Sequence, residues 1–226
     1  MMDRQRLQER VGLYSLLRAL YSYPLREPVL EAVVSLEIAP ASPLAPGLSR
    51  MQTRLQGHGF RRAALEVLNT EMTRLLEGPG LTPAPPYASY YLHDGRLMGP
   101  AAVAVRRVYL DWQAVPASDV HLPDDHIALE LGFLAYLAAR AAGGSAETEK
   151  ALQASHDFIQ QHLLPWLPRF CAALGGASAD PFFTGLADFT RAAVEADLEW
   201  LMTVLAENTT EAAGIASLQR DGGRAK

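Results

Sequence analysis

The densest group of side chains able to do chemistry is HLPDDHIALEL, residues 121–131, where Asp124, Asp125, His126 and Glu130 fall within seven residues at the start of a helical pattern. Three uses are open to them. His126 and Glu130, at i and i+4, share a helical face and could reach one metal, but the H-E-x-x-H spacing is absent and no partner ligand is identifiable. A carboxylate beside a histidine can tune proton transfer, yet no nucleophile motif, Gly-rich phosphate loop or dinucleotide fingerprint accompanies it. The third use is structural: Asp125 can accept the free backbone N–H groups two or three residues on and cap the helix. Spacing alone favours this cap.

Two further groups carry candidate functions. Tyr87, Tyr90 and Tyr91 follow Pro83, Pro85 and Pro86, and aromatic walls of this kind line grooves for extended or helical peptides as well as ordinary cores. His156, His162, Trp166 and Cys171 lie on one helical segment without metal spacing and read as packing or capping groups.

The elements that must position these residues are helical. Leu13, Leu16, Leu17, Leu20 and Tyr21 recur at helical spacing until Pro24, and Val29, Leu30, Val33 and Val34 make a short second pattern before the loop IAPASPLAPG. Leu48, Met51 and Leu55 predict a helix to Gly57-His58-Gly59, and Leu65 to Leu76 another to Gly78, Pro79 and Gly80. LTPAPPYASYYLHDG reads as extended chain leading to a short helix. Val103, Val105, Val108 and Tyr109 suit a strand as well, but the frame of their neighbours predicts a helix over about 99–113. DDHIALELGFLAYLAARAA follows the link VPASDVHLPD and ends at Gly143-Gly144. A helix over about 147–162 is interrupted at Pro165, resumes from Trp166 to Leu174 and stops at Gly175-Gly176. Phe182, Leu186, Phe189, Ala193, Ala196 and Trp200 then predict a last helix over about 180–206. The expectation is an all-α, single-domain bundle of about 9–11 helices over 1–206, with a polar, disordered tail at 207–226.

Composition bounds the partners. With 49% hydrophobic and 20% charged residues the chain is in the ordinary globular range. A net charge of -5 argues against nucleic acid, which selects clustered Lys and Arg. The single Cys171 can form no internal disulfide or four-cysteine metal site, which fits a reducing compartment. The charged N-terminal residues lack a signal-peptide core, no apolar run approaches ~18 residues, and Arg61-Arg62 and Arg106-Arg107 lie inside helical patterns rather than at an export signal. A cytoplasmic protein is expected.

Taken in order, LLEGPG, PPYASYYL, Gly99 with Arg106, LPDDHIALELGFLAYL, HLLPWLPRF and DPFFTGLADF resemble the TorD/DmsD family of redox-enzyme maturation chaperones, over residues from about 10 to 205. Pro123-Asp124-Asp125-His126 with Glu130-Leu131 and Phe133 is the most specific element. The resemblance implies an all-helical chaperone without catalytic activity or a cofactor of its own. It would recognise the catalytic subunit of a molybdopterin oxidoreductase of the DMSO/TMAO reductase group, and its twin-arginine leader, until the cofactor is inserted. It also implies a groove at Leu75, Leu76, Pro86, Tyr87, Ser89, Gly99, Arg106, Asp125 and His126, in a monomer or homodimer. Met72 and Tyr87 stand where some relatives carry tryptophan, which bears on leader preference. A leader's paired arginines need carboxylates at one end of an apolar groove, and Asp125 is the residue expected to supply the charge. In the helix that follows, His126, Glu130, Phe133 and Leu137 form a more polar stripe that could border the groove, with His126 either at its edge or bracing it from beneath, and Ile127, Leu131, Leu134 and Ala138 the stripe expected to face the core. The alternatives are a nitrate-reductase-type assembly chaperone that binds apo-enzyme without reading a leader, and a small hydrolase or guanine-nucleotide-binding protein using Asp125 and His126.

Overall fold

The computed structural model describes residues 4–56, 62–78, 82–117, 121–144 and 147–222, with the side chains of 62, 63 and 209–222 left undescribed. Its helices are α1 (Arg4–Leu20), α2 (Glu27–Ser35), α3 (Ala45–Gln56), α4 (Arg62–Met72), α5 (Ala88–Leu92), α6 (Pro100–Asp111), α7 (Ile127–Ala142), α8 (Thr148–Phe158), α9 (Leu167–Ala177) and α10 (Pro181–Gly222). α4 and α8 each run into one π-helical turn, Thr73–Glu77 and Ile159–Leu163. No strand occurs among the described residues, so the fold is all-α as expected.

Local signals explain most of the ends. Asp180 Oδ1 accepts the Phe182 N–H at 2.9 Å and Pro181 opens α10, an N-cap followed by a residue that needs no N–H partner. α7 stops at Gly143 because Gly144 turns to φ +67°, a conformation that costs glycine little. Pro165 lies in the turn between the second π-helical turn and α9, where the sequence places its interruption.

α7 is the axis of the bundle. Leu131, Leu134, Leu137, Ala138, Ala141 and Ala142 are buried along one broad face, while Ala139 and Arg140 on the other side are exposed. α1, with Tyr14, Leu17 and Leu20 buried, packs along it, and α8 covers another flank. α10 lies across α3, α8 and α9. Its crossing with α3 is a glycine contact: a Cβ added at Gly47 would stand 2.6 Å from the Phe189 backbone nitrogen and 2.8 Å from the Gly185 carbonyl oxygen. Backbone cannot move aside as a side chain does, so Gly47→Ala is expected to cost about 1–3 kcal/mol, outweighing alanine's advantage of up to ~1 kcal/mol in a helix. Urea unfolding of the variant measures this, and an unchanged midpoint would show that the two helices separate freely.

Several expectations change. Gly175-Gly176 do not stop α9, which continues to Ala177, and α10 continues past Ala206 to Gly222. The stripe His126, Glu130, Phe133 and Leu137 is as buried as its neighbour, so it forms core rather than a groove edge. Asp125 does not cap α7; that position is held by His126, whose ring accepts the Ala128 N–H. The expected stops at Gly57-His58-Gly59 and Pro79-Gly80, Arg61 and residues 118–120 of the second link lie outside the described residues. None of the described helices is long and apolar enough to cross a membrane.

Candidate peptide-binding site

Two loops distant in sequence are joined edge to edge at this site. Ile127 N–H donates to the Pro86 carbonyl at 2.9 Å and Ala88 N–H to the Asp125 carbonyl at 3.0 Å, on either side of an antiparallel bridge between Tyr87 and His126. Extended backbone is what Pro85 and Pro86 impose, because each fixes its own φ and restricts the residue before it. The Asp125 carboxylate then crosses from one loop to the other: Oδ2 accepts the Ser89 N–H at 2.7 Å and satisfies the first turn of α5, which its own N-cap Tyr87 leaves unmet. Asp125 thus caps not its own helix, as spacing suggested, but one 36 residues away in sequence.

Ser89 extends the chain of contacts, its Oγ accepting the Gly99 N–H at 3.0 Å. A side chain at Gly99 would meet the His93 ring, 2.9 Å from the new Cβ. Pro86, Tyr87, Ser89, Gly99, Asp125 and His126 are therefore one connected unit. Arg106 joins it indirectly, with Nη1 at 3.1 Å from the Asp124 carboxylate, whose backbone carbonyl accepts the Tyr109 hydroxyl at 3.1 Å. Leu75 and Leu76 lie on the π-helical turn behind Ala84 and are buried in the core, so their contribution is packing rather than a groove wall.

Beneath this unit the polar groups are only partly satisfied. His126 Nδ1 accepts the Ala128 N–H at 3.1 Å, which leaves the neutral ring's proton on Nε2. Nε2 is buried without a hydrogen-bond partner, with Glu77 Oε1 at 3.7 Å, and Asp125 Oδ1 and Glu130 Oε1 are also buried and unpartnered. Glu130 Oε2 accepts the Trp166 indole N–H at 3.2 Å. Burial pushes the Glu130 carboxyl well above the usual carboxylate range; the Trp166 bond opposes this and the nearby Asp125 charge adds to it. The Tyr87 ring stands edge-on to His126 with centroids 5.1 Å apart. Its phenol is pushed up to about 12 by burial, helped by the Glu77 and Asp125 charges.

The outer face of the site is the half-buried Tyr87, the Glu77 carboxylate at 30% exposure and the Arg106 side chain at 52%. Asp125 and His126, at 0% and 1%, do not reach it. Such a surface suits recognition better than proton exchange, because His126 spends one nitrogen on the cap and is shut off from solvent. Glu77 was not singled out by sequence reasoning, although it sits in the LLEGPG segment; its place beside His126 depends on the π-helical turn. The second polar group behaves as packing: Trp166 and Cys171 are buried, burial lifts the Cys171 thiol to about 12, and His162 lies against Phe158. Among the described residues no cluster of three or more His, Cys, Asp and Glu side chains could hold a metal ion.

Residues 41–172 match the family described as nitrate reductase delta subunit. The chain is 36% identical to chaperone protein TorD of Vibrio cholerae serotype O1 (strain Classical Ogawa 395) over 124 residues, covering 54% of this chain and 56% of that protein, so it spans little more than half the length of this relative. It is 27% identical to TorD of Aliivibrio salmonicida over 204 residues, 86% of this chain and 95% of that one. A solved structure described as a putative redox enzyme maturation protein from Archaeoglobus fulgidus aligns with 80% of this chain and 91% of its own, at 22% identity and a TM-score of 0.49.

Proposed function

The chain belongs to the nitrate reductase delta subunit family of redox-enzyme maturation chaperones, and we propose that it is a cytoplasmic chaperone holding the apo catalytic subunit of a molybdopterin oxidoreductase and binding that subunit's twin-arginine leader at the Tyr87 site. Its relatives are named chaperones, not catalysts. The observation that carries the leader reading is the juxtaposition of a half-buried aromatic ring and the Glu77 carboxylate over buried polar atoms that still lack partners. A leader offers the complement: guanidinium groups for Glu77 and an apolar stretch for Tyr87. Asp125 serves by holding the two loops together rather than by meeting an arginine, since its carboxylate is buried.

Calorimetry with a synthetic leader of the host's oxidoreductase tests this. Binding at micromolar Kd or tighter is expected, weakened by at least about tenfold when both arginines are replaced. Glu77→Gln should weaken binding and flatten its salt dependence, because an exposed charge pair is screened by salt. Tyr87→Ala should weaken it with little change in melting temperature. The family's description favours a second reading, assembly of a nitrate-reductase-type subunit without leader recognition. Capture of the apo subunit with no leader binding would select it.

A further inference from the structure

Asp124 already holds a guanidinium. It stands two residues before His126, which bridges to Tyr87, and its carboxylate takes Arg106 Nη1 at 3.2 Å on Oδ1 and at 3.1 Å on Oδ2. One nitrogen thus serves both oxygens, although the planar fork of a guanidinium can give each oxygen a nitrogen of its own. The two partners are unequally held. The Asp124 side chain is 16% exposed and its backbone carbonyl accepts the Tyr109 hydroxyl at 3.1 Å, whereas the Arg106 side chain on α6 is 52% exposed. An ion pair with so exposed a member is weak, because water and salt screen it and a long side chain is immobilised to form it. Arg106 can leave for solvent at little cost, and Asp124 stays.

A twin-arginine leader carries two guanidinium groups on adjacent residues, which point to opposite sides of an extended chain, so the pair needs two separate carboxylates. Glu77 is one of them. Asp125 and Glu130 are fully buried, which leaves Asp124 as the carboxylate of residues 121–131 that solvent reaches. Given the leader reading, on which the assignment rests, we infer that Asp124 is the subsite for the other leader arginine and that Arg106 occupies it as an internal stand-in until the leader displaces it. The exchange replaces a one-nitrogen contact by a two-nitrogen one and releases Arg106 to water. A peptide with a single cation fills Glu77 and leaves Arg106 where it is, so the competition favours paired arginines.

The probe is a synthetic peptide of two adjacent arginines followed by an apolar Leu/Ala stretch, titrated by calorimetry into the full chain at one salt concentration. Arg106→Gln frees the carboxylate and should tighten binding about threefold to fivefold, the scale of an exposed ion pair. Arg107 is exposed at the next position of α6 and forms no ion pair with a described residue, so Arg107→Gln removes the same charge without freeing a carboxylate and should change Kd by less than about twofold. Asp124→Asn should weaken binding at least about fivefold, and adding Arg106→Gln to it should then change nothing. Equal tightening by Arg107→Gln would reduce the effect to net charge. Unchanged or weaker binding in an Arg106→Gln protein that melts normally would make the ion pair a staple between α6 and the segment before α7. Either result overturns the assignment and leaves the leader reading standing, as does failure of the probe where the host's own leader binds. If neither peptide binds the unaltered chain, the leader reading falls and the subsite with it.

Discussion

Asp197→Ala is expected to lower the unfolding free energy by about 3–5 kcal/mol, the usual loss when one member of a buried ion pair is removed. Arg10 and Asp197 are 1% and 2% exposed, and the carboxylate accepts both the guanidinium and the Tyr14 hydroxyl. Without it a guanidinium is left in the interior with three nitrogens unmet and a phenol loses its acceptor. The same reasoning predicts that replacing both partners, Arg10→Met with Asp197→Leu, recovers most of the loss, because desolvation of the charges disappears together with their attraction. Urea unfolding of the two single variants and the double one forms the cycle. If Asp197→Ala costs no more than about 1 kcal/mol, the pair behaves as a surface salt bridge and the helices do not seal it from solvent.

This pair also shows where the sequence stops being informative. Arg10 and Asp197 are 187 positions apart. Each falls at the helical interval of buried neighbours, Leu7 and Tyr14 for Arg10, Ala193 and Leu201 for Asp197, so spacing places both on apolar faces, but nothing in either helix names the other as its partner. Helix type was legible because it depends on repeats of three and four: the valines of α6 could have marked a strand, yet Val105 and Tyr109 point inward at the helical interval. Ends were legible where a capping residue or a proline acts alone, as at Asp180-Pro181, and failed at Gly175-Gly176, where packing holds the helix through a weak former. The two π-helical turns were not legible at all.

For the site, the segments were legible and the roles were not. The order of PPYASYYL and LPDDHIALEL points to the loops that meet, and Pro86, Tyr87, Ser89, Gly99, Asp125 and His126 do come together. Asp125 looked like the cap of its own helix or a surface charge, and it is instead a buried acceptor for α5. That outcome requires the Tyr87–His126 bridge, a contact between loops that no periodicity encodes. Leu75 and Leu76 were expected to line the groove, and their burial makes them support for it.

Glu130's contribution to stability should fall as the pH rises above the ordinary glutamate range, and Glu130→Gln should remove that fall. In the unfolded chain a glutamate loses its proton near its ordinary pKa of about 4.3, whereas in the folded protein burial and the Asp125 charge hold the proton on Glu130 well beyond that point. Between the two pKa values the unfolded state binds fewer protons than the folded one. The group's contribution therefore declines with rising pH, at about 1.4 kcal/mol per unit, until the folded carboxyl itself ionises. Glutamine resembles the protonated acid in shape, keeps an acceptor for the Trp166 indole and cannot ionise. His162, whose pKa is lowered by burial, acts in the opposite direction: the unfolded state takes up its proton more readily, so its contribution grows as pH rises towards about 6.5. Because His162 is common to both proteins, the difference between variant and unaltered chain isolates Glu130. Urea unfolding at pH 5, 6, 7 and 8 should show the variant gaining on the unaltered chain as pH rises above the ordinary glutamate range, until the folded carboxyl ionises. Parallel profiles would mean that Glu130 is ionised in the folded protein with its charge met by a partner. In that case Glu130 would be a paired carboxylate rather than a neutral acid beside the Trp166 indole.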